Sequence, residues 1–547
     1  MIQNPCTLIR YIAQAQLTLE GFQTPFFQHL DKNNRWVKLA DCIPWDLLAN
    51  VYYRKMNNDQ GAPSLSARMV IGAVIIKHML NIDDREVVAQ IQENMYLQYF
   101  VGLSSFTTTE PFDPSLMVSI RYRLGQEVME EFNQLVLQQA GIIAQPSKDK
   151  DGCASLDNED NSSATSATED QSSANGKKDQ DIEEANNIEN NDTTCANNTS
   201  AANSGTLLLD ATVAEQQIEY PTDLKLLNEG REKLETMIEE VCKAGKLHQP
   251  RMYKNKARQQ YLTLAKRKKK TKKDIRKGLR RQLQYVSRDI KYINKLLEEH
   301  TSLKKVLDQR DWKLLQVIHE VYRQQQEMYN EDKRSIEHRI VSHYQPHVRP
   351  MPRGKDRVRT EFGSKQLVML KDGYTHVHTI SWDNFNEGIQ LIQCAEAYKE
   401  IYGCYPEKVS ADGIFGNRAN REFLKEKGIR FVGKQLGRPP KMTQAEKRKL
   451  QKEMAGRNAI EGKFGQGKTA YGLQKIKARM KATSESWIMS IYFIMNLVKL
   501  SERAFLCLLK VGLQSPMQGV ILFQWKYRTT YKLISPHAIF RVGEKWF

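Results

Sequence analysis

Residues 205–223 read GTLLLDATVAEQQIEYPTD, and the fold turns on this stretch. Its apolar run, Thr206-Leu207-Leu208-Leu209, ends on an acid, Asp210, and the pattern continues past it as a strand. Residues 408–412 repeat the arrangement in short form, Lys408-Val409-Ser410-Ala411-Asp412. Between the two, residues 224 to about 340 read as long helices. The β signal returns at Phe362: Gln366–Leu370 and Tyr374–Ile380 flank Lys371-Asp372-Gly373, a hairpin with an Asp-Gly turn. A helix Ile389–Tyr402 precedes the strand ending at Asp412. A helix from about Arg418 to Lys427, a strand Ile429–Gly433 and a helix over 441–463 bearing Glu461 follow it.

The order is therefore strand, helical insertion, hairpin, helix, strand, helix, strand, helix. Without the insertion this is the order of the ribonuclease H-like α/β fold, in which the first and fourth strands lie side by side. The expected fold class is an α/β ribonuclease H-like catalytic core with a helical insertion, preceded by an all-α N-terminal domain. That arrangement brings Asp210 and Asp412 together and carries Glu461 over them. Two aspartates at strand ends and a glutamate on a helix make a small oxygen cage. Such a cage suits two Mg²⁺ ions, with Mn²⁺ an expected substitute, and in-line phosphoryl transfer.

The 547 residues are too many for one compact core, so two or more domains are expected. Lysine and arginine total 82 against 64 acidic residues, a formal charge of +18, which favours a polyanionic partner, nucleic acid first. Eight scattered cysteines without a CxxC pair argue against zinc and against a disulfide framework. The start lacks a basic segment followed by an apolar core. The best apolar run, Trp487 to Leu500, contains Asn496 and Lys499 and is too short for a bilayer. A reducing, cytoplasmic, nucleoid-associated protein with no membrane partner is expected.

Five segments follow. Residues 1–146 are helical: Ser66 to Leu80 is apolar at helical spacing, Asp83 or Asp84 can cap a helix running to about Phe100, and Phe112-Asp113-Pro114-Ser115 opens another. Helix, turn, helix suits both a DNA-reading module and an ordinary bundle. Residues 147–204 are acidic and poor in large apolar side chains, the composition of a disordered linker. Residues 205–223 with 345–500 form the catalytic domain, 224–344 the basic insertion and 501–547 an aromatic-rich tail that could stack on DNA or simply pack. In the insertion, Lys266, Arg267, Lys268, Lys269 and Lys270 form a dense block that is either a solvated helix face or, favoured by its density, a phosphate contact.

Several motifs in order resemble the DDE transposases of bacterial insertion sequences. They include the pattern Arg457-x3-Glu461-x6-Lys468 and the stretch from Pro63-Ser64-Leu65 through Phe100-Val101-Gly102-Leu103, which is similar to the InsH-like N-terminal domain. Tyr220-Pro221-Thr222-Asp223, Arg353-Gly354-Lys355 with Glu361-Phe362-Gly363, and Tyr471-Gly472-Leu473 with Thr483-Ser484-Glu485-Ser486-Trp487 complete the set. The family pattern places a tyrosine three residues before the arginine, where this chain has Met454. The resemblance implies that Asp210, Asp412 and Glu461 are catalytic and hold the metal, and that Arg457 and Lys468 contact DNA phosphate. It further implies binding of terminal inverted repeats, hydrolytic cleavage, joining of 3′-hydroxyl ends to target DNA, and a dimer on DNA.

Two other readings compete. Gly462-Lys463-Phe464-Gly465-Gln466-Gly467-Lys468-Thr469 satisfies the P-loop pattern of an NTPase, although the residues before it are charged and helix-like rather than a buried strand. A non-catalytic DNA-binding protein derived from a transposase is the second. His376 and His378 stand two apart on a strand with no third ligand in view, and read as ordinary strand residues.

Overall fold

The computed structural model describes residues 29–54, 56, 64–139, 141–143, 202–352, 360–434, 437 and 443–512. The acidic segment expected to be a linker, up to residue 201, lies outside the described residues. So do Arg353-Gly354-Lys355 and the tail beyond 512.

A seven-stranded sheet organises the chain. Its strands are β1 (Thr206–Gln216), β2 (Arg349–Pro352), β3 (Thr360–Lys371), β4 (Tyr374–Ser381), β5 (Lys408–Ala411), β6 (Arg430–Val432) and β7 (Lys475–Ile476). The main path runs β2-β3-β1-β5-β6, with β4 on β3 and β7 on β1. β1 is antiparallel to β3 and parallel to β5, so the expected neighbours are indeed side by side. The β3–β4 hairpin turns at Asp372 and Gly373, with φ of 51° and 85°. Positive φ at both central residues matches the twist of the flanking strands, and Asp-Gly tolerates it. Gly363 matters for space rather than for φ. A Cβ there would collide with the carbonyl oxygen of Ala214 on β1, so β3 passes β1 closely only because the side chain is missing.

Seven helices lie between Arg35 and Gln139 among the described residues. Asp83, one of the two caps the sequence offered, caps Asp84–Glu93, and Ser66 caps Ala67–Leu80. The helix expected to reach Phe100 instead breaks at Asn94, whose side chain caps a separate helix, Met95–Phe100. These helices share one apolar core with the helix Lys481–Gly512 and with Val368, Leu370 and Val377 of the sheet. Residues 486–497 of that helix are all buried, so its apolar side chains, Trp487, Ile488, Ile491, Phe493, Ile494 and Leu497, spread around the axis because this stretch is covered on every side. A buried amide clamp fixes the register. Asn496 donates to Asn133 (2.6 Å) and to the Thr375 carbonyl (2.7 Å), and accepts from the Thr375 N–H (2.8 Å). Nearby, Asp84 binds Lys77 and Arg121, both at 2.8 Å, while both cations stand over the Trp487 ring.

The insertion is a helical body of its own, built from Asp223–Gly245, Lys254–Ala265, Lys272–Glu299 and Gln309–Asn330 around Leu234, Ile238, Leu283, Val286, Ile293 and Ile318. The basic block lies in the loop between the second and third of these helices, not on a helix face. Thr271 then starts the third helix with a capping box to Asp274.

Candidate active site

The strand β1 has an open notch in one edge. β5 pairs with it over Thr206–Leu209 and β7 over Glu215–Gln216, while β3 occupies the opposite edge throughout. Residues 210–214 are therefore left without a strand partner on the β5 side. Asp210 opens the notch. The last residues paired between β1 and β5 are Leu209 and Ala411, so Asp210 and Asp412 are each the next residue along its chain, Asp210 still within β1 and Asp412 just past the end of β5.

Side-chain alternation separates their surroundings. Leu207 and Leu209 point into the core beneath the helix Leu391–Tyr402, so Asp210 points to the other face. There the helix Asn458–Ala470 buries Ile460, Phe464 and Gly467. Those positions recur at i, i+4 and i+7, which turns Arg457, Glu461 and Lys468 to the adjoining face. The Arg457 guanidinium stands between two carboxylates, 3.5 Å from Asp210 Oδ2 and 2.9 Å from Glu461 Oε1. Burial pushes the Asp210 carboxyl up to about 6, and Glu387 and Glu461 push the same way against Arg457 and the Ala211 N–H. Glu461 is exposed and Lys468 half-buried.

Asp412 behaves differently. Its Oδ1 accepts from the Gly413 N–H at 2.7 Å, capping a short 3-10 turn, Gly413–Phe415. The structure thus joins Asp210 and Glu461 through Arg457 and leaves Asp412 one residue past the paired end of β5. It does not gather the three into one cage: among the described residues no three His, Cys, Asp or Glu side chains are placed to hold a metal ion together. Like charges at close range are costly without a cation between them, and here Arg457 compensates two of the three. The donor set fits a hard divalent ion. All three are carboxylates, Asp210 partly buried and Asp412 and Glu461 exposed, and Arg457 stands between Asp210 and Glu461.

Glu387 escaped the reading of the sequence. It begins a 3-10 turn, Glu387–Gln390, pairs with Lys365 of β3 at 2.7 Å, and acts electrostatically on Asp210. The turn is pinned to the loop after Asp412: a Cβ on Gly388 would strike the Ile414 carbonyl, and the Gly388 carbonyl accepts from the Asn417 and Asn420 amides. The only sequence signal was the Asn386-Glu387-Gly388 turn itself, which does not announce its neighbours.

Other expectations need correction. The helix foreseen over 441–463 is two, Gln444–Ala455 and Asn458–Ala470, separated at Gly456 and Arg457. The P-loop pattern lies wholly inside the second. Its backbone N–H groups serve a helix, so they form no phosphate cradle, and that reading falls. His376 and His378 straddle a bulge: Val368 pairs with Val377 and Leu367 with Thr379, leaving His378 extra. Lys266, Arg267, Lys268, Lys269 and Lys270 are all exposed on the insertion loop, where Arg267 pairs with Asp274 at 2.9 Å.

Two stretches match transposase families. Residues 25–123 match a family described as Transposase domain (DUF772), and residues 409–498 one described as Transposase DDE domain. Over these two stretches the chain is similar to transposases. The second match takes in Asp412, Arg457, Glu461 and Lys468 but not Asp210; the first covers the helices up to Arg123. A Rhizobium meliloti protein described as "Uncharacterized protein ORF8 in nfe locus" is 36% identical over 98 residues, 17% of this chain and 45% of that protein. The chain therefore spans less than half of that relative. No solved structure matches. Among the described residues, no helix is long and apolar enough to cross a membrane.

Proposed function

We propose that this chain is a transposase that binds the terminal inverted repeats of its element, cleaves DNA by metal-dependent hydrolysis and joins the freed 3′-hydroxyls to target DNA. The sheet is read as a ribonuclease H-like core, supported by its strand order and by the mixed pairing of β1. The single observation that carries the reading is the parallel pairing of β1 with β5 up to Leu209 and Ala411, the residues just before Asp210 and Asp412, with Glu461 tied to Asp210 through Arg457.

Asp210, Asp412 and Glu461 would hold two Mg²⁺, which supply charge neutralisation at the attacking and leaving oxygens. Asp210 offers a carboxylate on the floor of the notch, where burial and neighbouring acids make it receptive to positive charge. Asp412 offers its free oxygen once the side chain turns from the Gly413 N–H. Arg457, displaced from the two carboxylates, is placed to reach a phosphate oxygen, with Lys468 further along the same helix face. Lys266, Arg267, Lys268, Lys269 and Lys270 would hold DNA phosphates at a distance from the chemistry. A dimer on DNA is part of the proposal.

The test is a nicking assay on DNA carrying the ends of the element, with Mg²⁺ or Mn²⁺. Asp210→Asn, Asp412→Asn and Glu461→Gln should each lower cleavage by about 10²–10³-fold or more while end binding persists. Wild-type nicking by all three variants would remove the assignment. End binding without any nicking by the unaltered chain would leave a non-catalytic DNA-binding protein derived from a transposase.

A further inference from the structure

We propose that the insertion carries a groove that binds single-stranded DNA, formed between the helices Lys272–Glu299 and Gln309–Asn330. The groove encloses a cavity of about 410 Å³, within the range of sites that take nucleotide-sized ligands. One wall presents Arg280, Gln284, Arg288 and Lys291, spaced to share one face of their helix; the other presents Tyr322 and Tyr329, two turns apart on theirs. No carboxylate lines it. Arg288 is compensated by Asp289 at 2.7 Å, but Arg280 and Lys291 are exposed and have no ion pair among the described residues.

The charge does not stop at the groove. Lys273, Lys277 and Arg281 are also exposed along the same helix, and the loop bearing Lys266 to Lys270 adjoins its N-terminal end. From Lys273 to Lys291 the helix spans about 27 Å. Cations held in a row without counter-charges repel one another, and a polyanion relieves that repulsion while releasing its own counterions.

The tyrosines decide between one strand and two. Duplex bases are stacked on each other and present only edges and backbone. An aromatic wall facing a cationic wall suits unpaired bases, with phosphates on one side and ring faces on the other. Arg276 covers Tyr329 at 4.4 Å. Tyr322 is half-buried, packed against the insertion core while lining the groove, and among the described residues no ring or cation stacks on it, so the part of its ring that lines the groove is the base-stacking surface. The proposal rests on DNA being the polymer this chain handles, but not on the carboxylate assignment.

The full chain in EDTA, so that nothing is cut, is titrated with a labelled single strand and with a duplex of the same sequence over a range of salt. Arg280→Glu with Lys291→Glu should weaken single-strand binding at least tenfold. It should also flatten the slope of log affinity against log salt by roughly 1.4, about 0.7 per lost phosphate contact. Tyr322→Leu should weaken single-strand binding about tenfold, with the slope unchanged and the duplex unaffected. Equal losses for strand and duplex, or no loss in either variant, overturn the proposal. An iododeoxyuridine strand photocrosslinked to the unaltered protein should mark Tyr322 or Tyr329, whatever the variants' folding; crosslinks confined to other segments overturn it too. Wild-type nicking by Asp210→Asn, Asp412→Asn and Glu461→Gln would sink the catalytic reading alone, because groove binding is scored without cleavage.

Discussion

Asp210 sits where burial and charge pull against each other. Burial raises its carboxyl to about 6, Glu387 and Glu461 add to the rise, and Arg457 and the Ala211 N–H oppose it. Its folded value lies above the ordinary 3.8, so the native state holds its proton longer than the unfolded chain does. The stability this group contributes is thus fully present below about pH 4 and lost as pH rises through about 6. Asp210→Asn should therefore be more stable than the parent at pH 7.5, by no more than about 3 kcal/mol. The two should converge below pH 4, and urea unfolding at both values measures this. A gap that ignores pH would mean that the carboxyl is not in the buried, acid-rich setting described. A divalent cation should work in the opposite direction at neutral pH. Mg²⁺ bound to the native state raises the parent's melting temperature by mass action, and the Asn variant should gain less. An equal gain in both would deny Asp210 a part in holding metal.

At the scale of elements, the site depends on how closely β3 can lie against β1. Gly363 stands opposite Glu215 and leaves no room for a Cβ against the Ala214 carbonyl. Gly363→Ala should force the strands apart next to the notch and destabilise the chain by about 3 kcal/mol, the upper end for overpacking. Chemical denaturation reads the loss. A change within about 0.5 kcal/mol would show that the strands relax freely there. The helix carrying Glu461 illustrates the same dependence. The break at Gly456 and Arg457 starts a new helix whose Ile460, Phe464 and Gly467 pack inward, and that phase alone aims Glu461 and Arg457 at β1.

For the molecule as a whole, the N-terminal helices and the sheet share one core through the helix Lys481–Gly512. Trp487 joins them most visibly. Lys77 and Arg121 lie over its ring at 4.6 and 5.4 Å, and His78 meets it edge-on at 5.1 Å. Two segments built on one core should unfold together. Thermal unfolding followed by a probe in the N-terminal helices and by one on β4 should give coincident curves, and Trp487→Ala should lower both by about 3–5 kcal/mol. Separate transitions would show that the N-terminal segment holds itself together. The insertion, with its own core, is the part expected to unfold independently.

Much of this was legible along the chain because its signals are local. The Asp-Gly turn, the cap at Asp83, the apolar run into Asp210 and the alternation of strand and helix each depend on neighbours a few residues away. Those signals set the element order, and the order set β1 beside β5. Three things are not local. Glu387 acts on Asp210 only because Gly388 lets its turn nest against Ile414. The end of one helix and the start of the next at Arg457 follow from what Ile460 and Phe464 can bury. The partners of each acid depend on which cation reaches it, so Asp210 and Glu461 share Arg457 while Asp412 caps its own turn. A sequence determines which stretches form strands and helices because propensity and periodicity act at short range. Only the tertiary structure decides which charges face each other, because burial and Coulomb energy depend on distances in space.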